Sequence, residues 1–134
     1  MAENTVVKEY LSAEMVEAGA ELIAKLDAMG LPIVAALWLF EPEINQWRLL
    51  IASPEVPASG SLDVYHKIGE ARRALGEKAA ALPRFSISAV DPNREPVRSF
   101  RMEMPTGEGL SRIRFSKNMV NRRFIEDALI YRIA

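Results

Sequence analysis

The chain contains no cysteine and a single histidine, His66. Without cysteine there can be no disulfide, no thiolate nucleophile, no iron–sulfur cluster and no cysteine-based zinc site. One histidine also cannot supply the several imidazoles that many zinc centres use. We therefore expect no metal and no cofactor, so that the available chemistry is that of carboxylates, cations and hydroxyls.

Long apolar runs are missing as well. The longest covers residues 31–40 and contains Pro32, whereas a membrane-spanning helix needs about 20 apolar residues. The first ten residues carry Glu3 and Glu9 and lack the basic and apolar regions of a secretory signal. These absences predict a cytoplasmic protein that does not engage a membrane.

Common catalytic and nucleotide-binding motifs are absent too. There is no Gly-x-Ser-x-Gly elbow, and a serine triad would have to use His66. Residues 106–111 offer glycines and hydroxyls, but they lack the lysine and the glycine spacing of a phosphate-binding loop. Glu108 would also repel phosphate oxygens, so a flexible turn is the better interpretation.

What is present has the composition of one ordinary domain. The chain has 134 residues, of which 49 % are apolar and 26 % are charged, values that are typical of globular proteins. No internal repeat or low-complexity tract interrupts it. We expect a single domain over residues 1–134, with residues 1–11 forming a mobile N-terminus.

The spacing of apolar residues predicts the order helix–strand–strand–helix–strand–helix–strand–strand. Ser12 is suited to cap the first helix, and Gly19 lies on its apolar stripe, where the missing side chain would let another element approach closely. Two prolines and a glycine predict a loop at 53–60. The predicted elements are a helix at 12–30, a hairpin at 33–40 and 47–52, a helix at 61–82, a strand at 85–89, a short helix at 96–104 and a strand at 112–115.

The last apolar segment is ambiguous between helix and strand. Phe124, Ile125, Ala128 and Leu129 follow helical spacing, whereas Ile130 and Tyr131 extend a run with high β propensity. Four sequence blocks, at 47–49, 51–54, 97–98 and 125–132, resemble a family of small bacterial proteins without an assigned activity.

The resemblance implies a closing hairpin, because members of that family have a glycine-containing turn where this chain has Asn121-Arg122-Arg123. We therefore predict a strand for residues 124–132. The overall prediction is an α+β fold of about five mainly antiparallel strands, with two long helices and one short helix packed on the sheet.

Charge is divided unevenly along the chain. Residues 1–60 contain three basic and nine acidic side chains, whereas residues 61–134 contain fourteen basic and nine acidic ones. The two halves can attract each other within one subunit or across a two-fold dimer, and an unpaired strand edge can add to such a contact. The acidic side chains of the first helix are Glu14, Glu17, Glu21 and Asp27.

This division predicts a small interaction or regulatory module that self-associates. We favour that function over an enzyme, because no catalytic motif is present. The protein partner, if it is not a second copy, is not indicated by the sequence.

The stretch at 112–123 is the main evidence for an alternative function. It carries five cations and no acid, and the cations are Arg112, Arg114, Lys117, Arg122 and Arg123. We expect the first two to share one face of a strand, and the others to crowd the following turn together with Asn118. Such a basic rim could contact nucleic-acid phosphates. The absence of a nucleic-acid motif and the sequence pI near 5.9 favour a solvated hairpin face instead.

Acid–base chemistry is the third alternative. His66 lies near Asp63 and Glu70 on one side of the second predicted helix, an arrangement that suits a general base or one edge of a metal site. With distant acids, His66 could serve a hydrolase or a metal-dependent nuclease. An exposed histidine on the polar side of a helix is the simpler interpretation.

Glu126 and Asp127 are adjacent carboxylates inside an apolar segment. Neither a strand nor a helix turns two adjacent side chains toward each other, so they do not form a paired-carboxylate site by themselves. A buried carboxylate needs a cationic partner. We therefore favour a structural salt bridge over catalysis, with Arg132, Arg114 or Arg98 as the partner.

Overall fold

The helices and strands follow the predicted order along the chain. A computed structural model describes residues 7–134. The helices are α1 (Ala13–Ala28), α2 (Glu55–Ser59), α3 (Ser61–Ala74) and α4 (Val97–Glu103), and the strands are β1 (Ala35–Glu41), β2 (Gln46–Ala52), β3 (Ile87–Val90), β4 (Ile113–Val120) and β5 (Arg123–Ile133). Within residues 7–134, no helix has the length and apolar composition needed to cross a membrane.

The strands form one mixed sheet in the order β3-β2-β1-β5-β4. β1 lies at its centre, which explains why the run from Ala35 to Phe40 is apolar on both sides. β1 pairs antiparallel with β2 and β5, β4 pairs antiparallel with β5, and only the β2–β3 pair is parallel. The α+β prediction with mainly antiparallel strands is confirmed.

Two apolar clusters lie on opposite faces of this sheet. Trp38 of β1 and Tyr131 of β5 belong to the cluster beneath α1 and α3. The neighbouring residue Leu37 belongs to the other cluster, which α4 covers with Val97 and Phe100. Adjacent strand residues point to opposite faces, so Trp38 and Leu37 lie on the two sides of the sheet. Helices therefore cover both sides, with α1 and α3 on one and α4 on the other.

The second long helix is shorter than predicted. α3 ends at Ala74, and the chain continues as a 3₁₀ helix at Gly76–Ala81. Gly76 adopts a φ of +63°, a left-handed conformation that ends an α-helix and that glycine adopts without strain. The predicted loop at 53–60 also contains the short helix α2.

Two local predictions around β3 and β4 were wrong. Phe85 lies in a 3₁₀ helix and is exposed, whereas the prediction placed it in a strand. Lys117 and Asn118 belong to β4, whereas the prediction placed them in the following turn. Pairing with β5 extends β4 as far as Val120 and overrides the polar composition of this stretch.

The C-terminal segment is a strand, as the resemblance implies. β4 and β5 are joined by Asn121 and Arg122 alone, and their φ angles are 46° and 67°. Two consecutive residues with positive φ define the type I′ turn, whose backbone twist matches that of a β-hairpin. Glycine and asparagine are favoured in this turn, so Arg122 occupies a position better suited to glycine.

As predicted, Gly19 allows another element to approach α1 closely, and that element is the sheet. A Cβ atom at Gly19 would collide with Tyr131 Oη and would lie 2.9 Å from Trp38 Nε1. The buried Tyr131 hydroxyl donates to the carbonyl of Val16 at 2.6 Å and accepts from Trp38 Nε1 at 2.9 Å. Burial raises the pKa of Tyr131 to about 12, so this hydroxyl keeps its proton at neutral pH.

Candidate functional site

A buried carboxylate on β5 organises the most densely hydrogen-bonded cluster of charged side chains. The Asp127 side chain is 5 % exposed. It accepts hydrogen bonds from Arg114 Nε and Nη2, from Lys8 Nζ and from Ser116 Oγ, each at 2.6 Å. Arg114 is one of the three partners that the sequence proposed for a buried acid. Asp127 therefore forms the predicted salt bridge.

The charge state of Asp127 follows from these contacts. Burial alone would raise its pKa. The hydrogen bonds from Arg114, Lys8 and Ser116 outweigh burial and hold the pKa of the Asp127 carboxyl well below its usual range. Asp127 is consequently ionised at neutral pH, which suits it to bind cations and not to carry a proton.

Two aromatic rings complete the surroundings of Lys8. Its Nζ atom lies 4.7 Å from the ring centroid of Phe40 and 5.6 Å from that of Trp47. Both rings are buried, and their centroids are 5.3 Å apart. A cation over aromatic faces and beside a carboxylate is stabilised by both. We call the arrangement of Phe40, Trp47 and Asp127 the ammonium cage.

The segment that carries Lys8 is held by its backbone. Asn45 Nδ2 donates to the carbonyl of Val7 at 2.9 Å, and the amide of Glu9 donates to Asn45 Oδ1 at 2.8 Å. Trp47 Nε1 donates to the carbonyl of Glu9 at 2.9 Å. We call residues 7–10 the N-terminal strap. Of the N-terminus predicted as mobile, residues 1–6 lie outside the described part of the chain.

A surface cleft of about 480 Å³ adjoins the strap. Glu9 and Tyr10 of the strap line it together with Trp47 of the cage. The exposed side chains of Ile44 and Phe85 also border this cleft. The cage and the cleft thus share one wall.

Most cations of the 112–123 stretch have acidic partners in the same subunit. Arg112 Nη2 lies 2.9 Å from Glu17, Arg114 binds Asp127, and Arg123 Nε lies 3.8 Å from Glu95. Among the described residues, only Lys117 and Arg122 of this stretch have no carboxylate within 4.0 Å. The stretch therefore carries much less uncompensated charge than its composition indicates.

The structure does not bring the acid–base candidates His66, Glu126 and Asp127 together in one site. His66 is exposed on α3, a helix that packs on α1 and β3. Asp127 lies between β4 and the strap, and Glu126 is half-buried. In residues 7–134, no group of three or more histidine, aspartate or glutamate side chains is placed to hold a metal ion.

The acidic side chains of α1 meet cations of the C-terminal half within one subunit. Glu17 pairs with Arg112, and Lys78 Nζ lies 2.8 Å from Glu21. Asp27 accepts hydrogen bonds from Arg132 Nη1 and Nη2 at 2.9 and 2.7 Å. The predicted attraction between the acidic and basic halves of the chain is therefore present within one subunit.

The two edges of the sheet differ in their protection. β3 has only four residues, and the amide of Ala89 donates to the Tyr65 hydroxyl of α3 at 3.1 Å. β4 has eight residues and is the last strand on its side of the described sheet. Ile113 and Met119 on this strand and Phe124 on β5 are 41, 52 and 57 % exposed. We call residues 113–120 the β4 edge.

The sequence did not indicate Lys8, which occupies the cage, or Asn45, which binds the backbone of the strap. Lys8 lies 119 residues from Asp127, and Asn45 lies 36 residues from Glu9. No periodicity or motif connects positions so far apart. Asn45 carries a weak sequence signal for a turn, because asparagine tolerates the left-handed conformation that it adopts here, with a φ of 49°.

No protein-family model, curated protein or solved structure matches this chain at a significant level. Its function is therefore inferred from its own residues and their geometry.

Proposed function

We propose that this protein is a small cytoplasmic interaction module that associates with a second copy of itself through the β4 edge. The observation that carries this proposal is the difference between the two sheet edges. At one edge, the short β3 donates a backbone amide to the Tyr65 hydroxyl. At the other edge lies β4, which has eight residues. An unpaired edge of this length is a template for pairing with another strand.

Antiparallel pairing of two β4 edges would satisfy outward-facing backbone groups on either side of Lys117, whose φ of 47° interrupts the extended strand. The two five-stranded sheets would then join across a two-fold axis, the symmetry most common among homodimers. Ile113 and Met119 would lose part of their exposed apolar surface in such a contact. Each copy contributes the same strand, so no second binding surface is required.

The charge on β4 permits this pairing. Arg112 and Arg114 flank or belong to the strand, but Glu17 and Asp127 neutralise them within each subunit. Lys117 is the cation of the strand without an acidic partner among the described residues. Repulsion between two β4 edges is therefore smaller than the sequence indicates.

The same ion pairs reduce the support for nucleic-acid binding. Five phosphate contacts would give a salt-dependence slope of about −4.5 on duplex DNA, whereas the four cations other than Arg114, which binds the buried Asp127, would give about −3.6. The hydrolase or nuclease alternative lacks a described centre that joins His66 to Glu126 or Asp127.

Light scattering coupled to gel filtration tests the proposal. We expect the wild-type protein to elute with the mass of a dimer at tens of micromolar. Replacing Ile113 and Met119 together by lysine places four additional charges in the interface and should yield a monomer with unchanged circular dichroism. Leu62→Lys is the matched control, because Leu62 is an exposed apolar residue on α3.

A monomeric wild-type protein would refute self-association. A dimer that persists in the double lysine variant would show that the copies associate through another surface.

A further inference from the structure

We propose that the ammonium cage and Asn45 form a binding site for a lysine side chain on an extended segment of a different protein. In the structure, the N-terminal strap occupies this site as a resident ligand. The proposal concerns the face of the sheet that carries Asp127 and does not depend on self-association through the β4 edge.

The strap is bound in the way that a peptide ligand is bound. Asn45 and Trp47 make hydrogen bonds to its backbone, and Lys8 is the side chain that enters the cage. The side chains of Val7 and Tyr10 are exposed. Asn45 binds the backbone of the residues on either side of Lys8. Any extended segment could make the same backbone contacts, and a lysine between those two residues would enter the cage.

The cage would remain formed after Lys8 leaves. Arg114 and Ser116 would still hold the Asp127 carboxylate, and Phe40 and Trp47 are buried in the apolar cluster beneath α1. A preformed site loses little conformational entropy when it binds a ligand. The Lys8 side chain is 40 % exposed, so an incoming lysine can reach the cage from solvent.

The adjoining cleft gives the incoming segment room beyond its lysine. Ile44 and Phe85, which lie outside the strap, border this cleft with exposed apolar side chains. Residues that follow the anchoring lysine can therefore pack against apolar surface. This contact would add affinity without requiring a specific sequence.

A variant of the full chain in which Lys8→Ala is combined with Glu9→Pro tests the proposal. The first substitution removes the cation from the cage, and the second removes the amide that donates to Asn45. Both residues are exposed and lie outside every helix and strand, so the fold should be retained. If the double variant unfolds, the single substitution Lys8→Ala replaces it.

The probe is the blocked peptide Val-Lys-Glu-Tyr, with norleucine in place of lysine as the control peptide. The two indole N–H resonances in a nitrogen-15 spectrum provide the measurement, because Trp47 contacts the strap and Trp38 donates to Tyr131 in the core. We expect the lysine peptide to shift the Trp47 resonance of the variant and leave that of Trp38 unchanged. Affinity for wild-type protein should be at least about tenfold lower, because the resident strap competes.

Three results would overturn the proposal. The first is an unchanged Trp47 resonance at millimolar peptide while Trp38 shows that the variant is folded. The second is equal binding of the norleucine peptide, since a lysine site must distinguish the ammonium group. The third is occupation of the variant's cage by the strap of added wild-type protein in preference to the peptide, which would assign the site to a second copy.

Discussion

At the scale of single residues, Gly19 determines how closely α1 approaches the sheet. The Tyr131 hydroxyl lies where a side chain at position 19 would begin, and it links the carbonyl of Val16 to the indole of Trp38. A buried hydroxyl and a buried indole N–H that lose their partners each destabilise the folded state by about 1–3 kcal/mol. The glycine is thus required by packing, although it weakens the helix locally.

Gly19→Ala should therefore lower the free energy of unfolding. Alanine favours the helix by about 1 kcal/mol, but the added Cβ displaces Tyr131 from α1, and we expect a net loss of about 2 kcal/mol. Urea denaturation measures the change.

Gly69→Ala on α3 provides the control for this measurement. A Cβ atom there would meet only the flexible end of Arg73, at 3.7 Å, so this variant should be more stable than the wild type by up to about 1 kcal/mol. Equal effects of the two alanines would contradict the role given to Gly19.

Asp127 makes stability depend on pH in a defined direction. Its pKa in the folded state is depressed by Arg114, Lys8 and Ser116, so the unfolded state binds the proton more readily. The contribution of Asp127 is complete at pH values above its unfolded pKa, about 3.9. It is lost as the pH falls toward the lower pKa of the folded state.

Asp127→Asn should consequently destabilise the protein most at neutral pH. We expect a loss of about 2 kcal/mol near pH 6, because hydrogen bonds to a charged group are replaced by weaker ones. The difference from wild type should shrink as the pH falls below about 3.9, because the unfolded state then binds a proton that the folded carboxyl does not. Guanidinium denaturation across this range provides the test, and a constant difference would count against the assignment.

At the scale of secondary structure, the β4–β5 hairpin shows how turn chemistry fixes the end of the sheet. Arg122 holds a φ of 67° in the two-residue turn. Glycine adopts this conformation without steric conflict, whereas arginine does not.

Arg122→Gly should stabilise the protein by about 0.5–1 kcal/mol, because relief of strain in the turn exceeds the added freedom of the unfolded chain. Arg123→Gly should have the opposite effect, since Arg123 begins β5 and does not have a positive φ. The two variants differ from wild type by the same change in charge. Thermal unfolding distinguishes them, and a loss of stability in both would rule out relief of turn strain.

The elements that the sequence predicts well are those with strong local patterns. The apolar run of β1 and the stripe of α1 identify both elements and approximate their ends. The end of α3 was missed because the prediction continued the helix to residue 82, whereas Gly76 adopts a left-handed conformation. Asn118 was placed outside the strand because local polarity does not reveal its pairing with Ile125 of β5.

At the scale of the whole molecule, the unequal charge of the two halves is compensated largely inside the subunit. Carboxylates of α1 reach cations that lie far along the chain, as the pair of Asp27 and Arg132 illustrates. The sequence predicted attraction between the halves but could not distinguish one subunit from two. The positions of Arg112 and Lys78 beside α1 depend on the tertiary fold.

The candidate site was predictable only in part, because most of its residues come together only in the tertiary fold. The sequence limited the buried acid to Glu126 or Asp127 and its partner to Arg98, Arg114 or Arg132, because a buried acid inside an apolar strand requires a cation. Lys8, Phe40 and Trp47 converge on that acid from three separate segments. Composition gives no information on such convergence.

Pairing of two copies through the β4 edge is tested most directly by hydrogen exchange at two protein concentrations. We expect this pairing to make the backbone amides in residues 113–120 exchange more slowly at several hundred micromolar than at low micromolar concentration, while the amides of β3 are unaffected. Exchange in residues 113–120 that is independent of concentration, in a sample that light scattering shows to be dimeric, would contradict it.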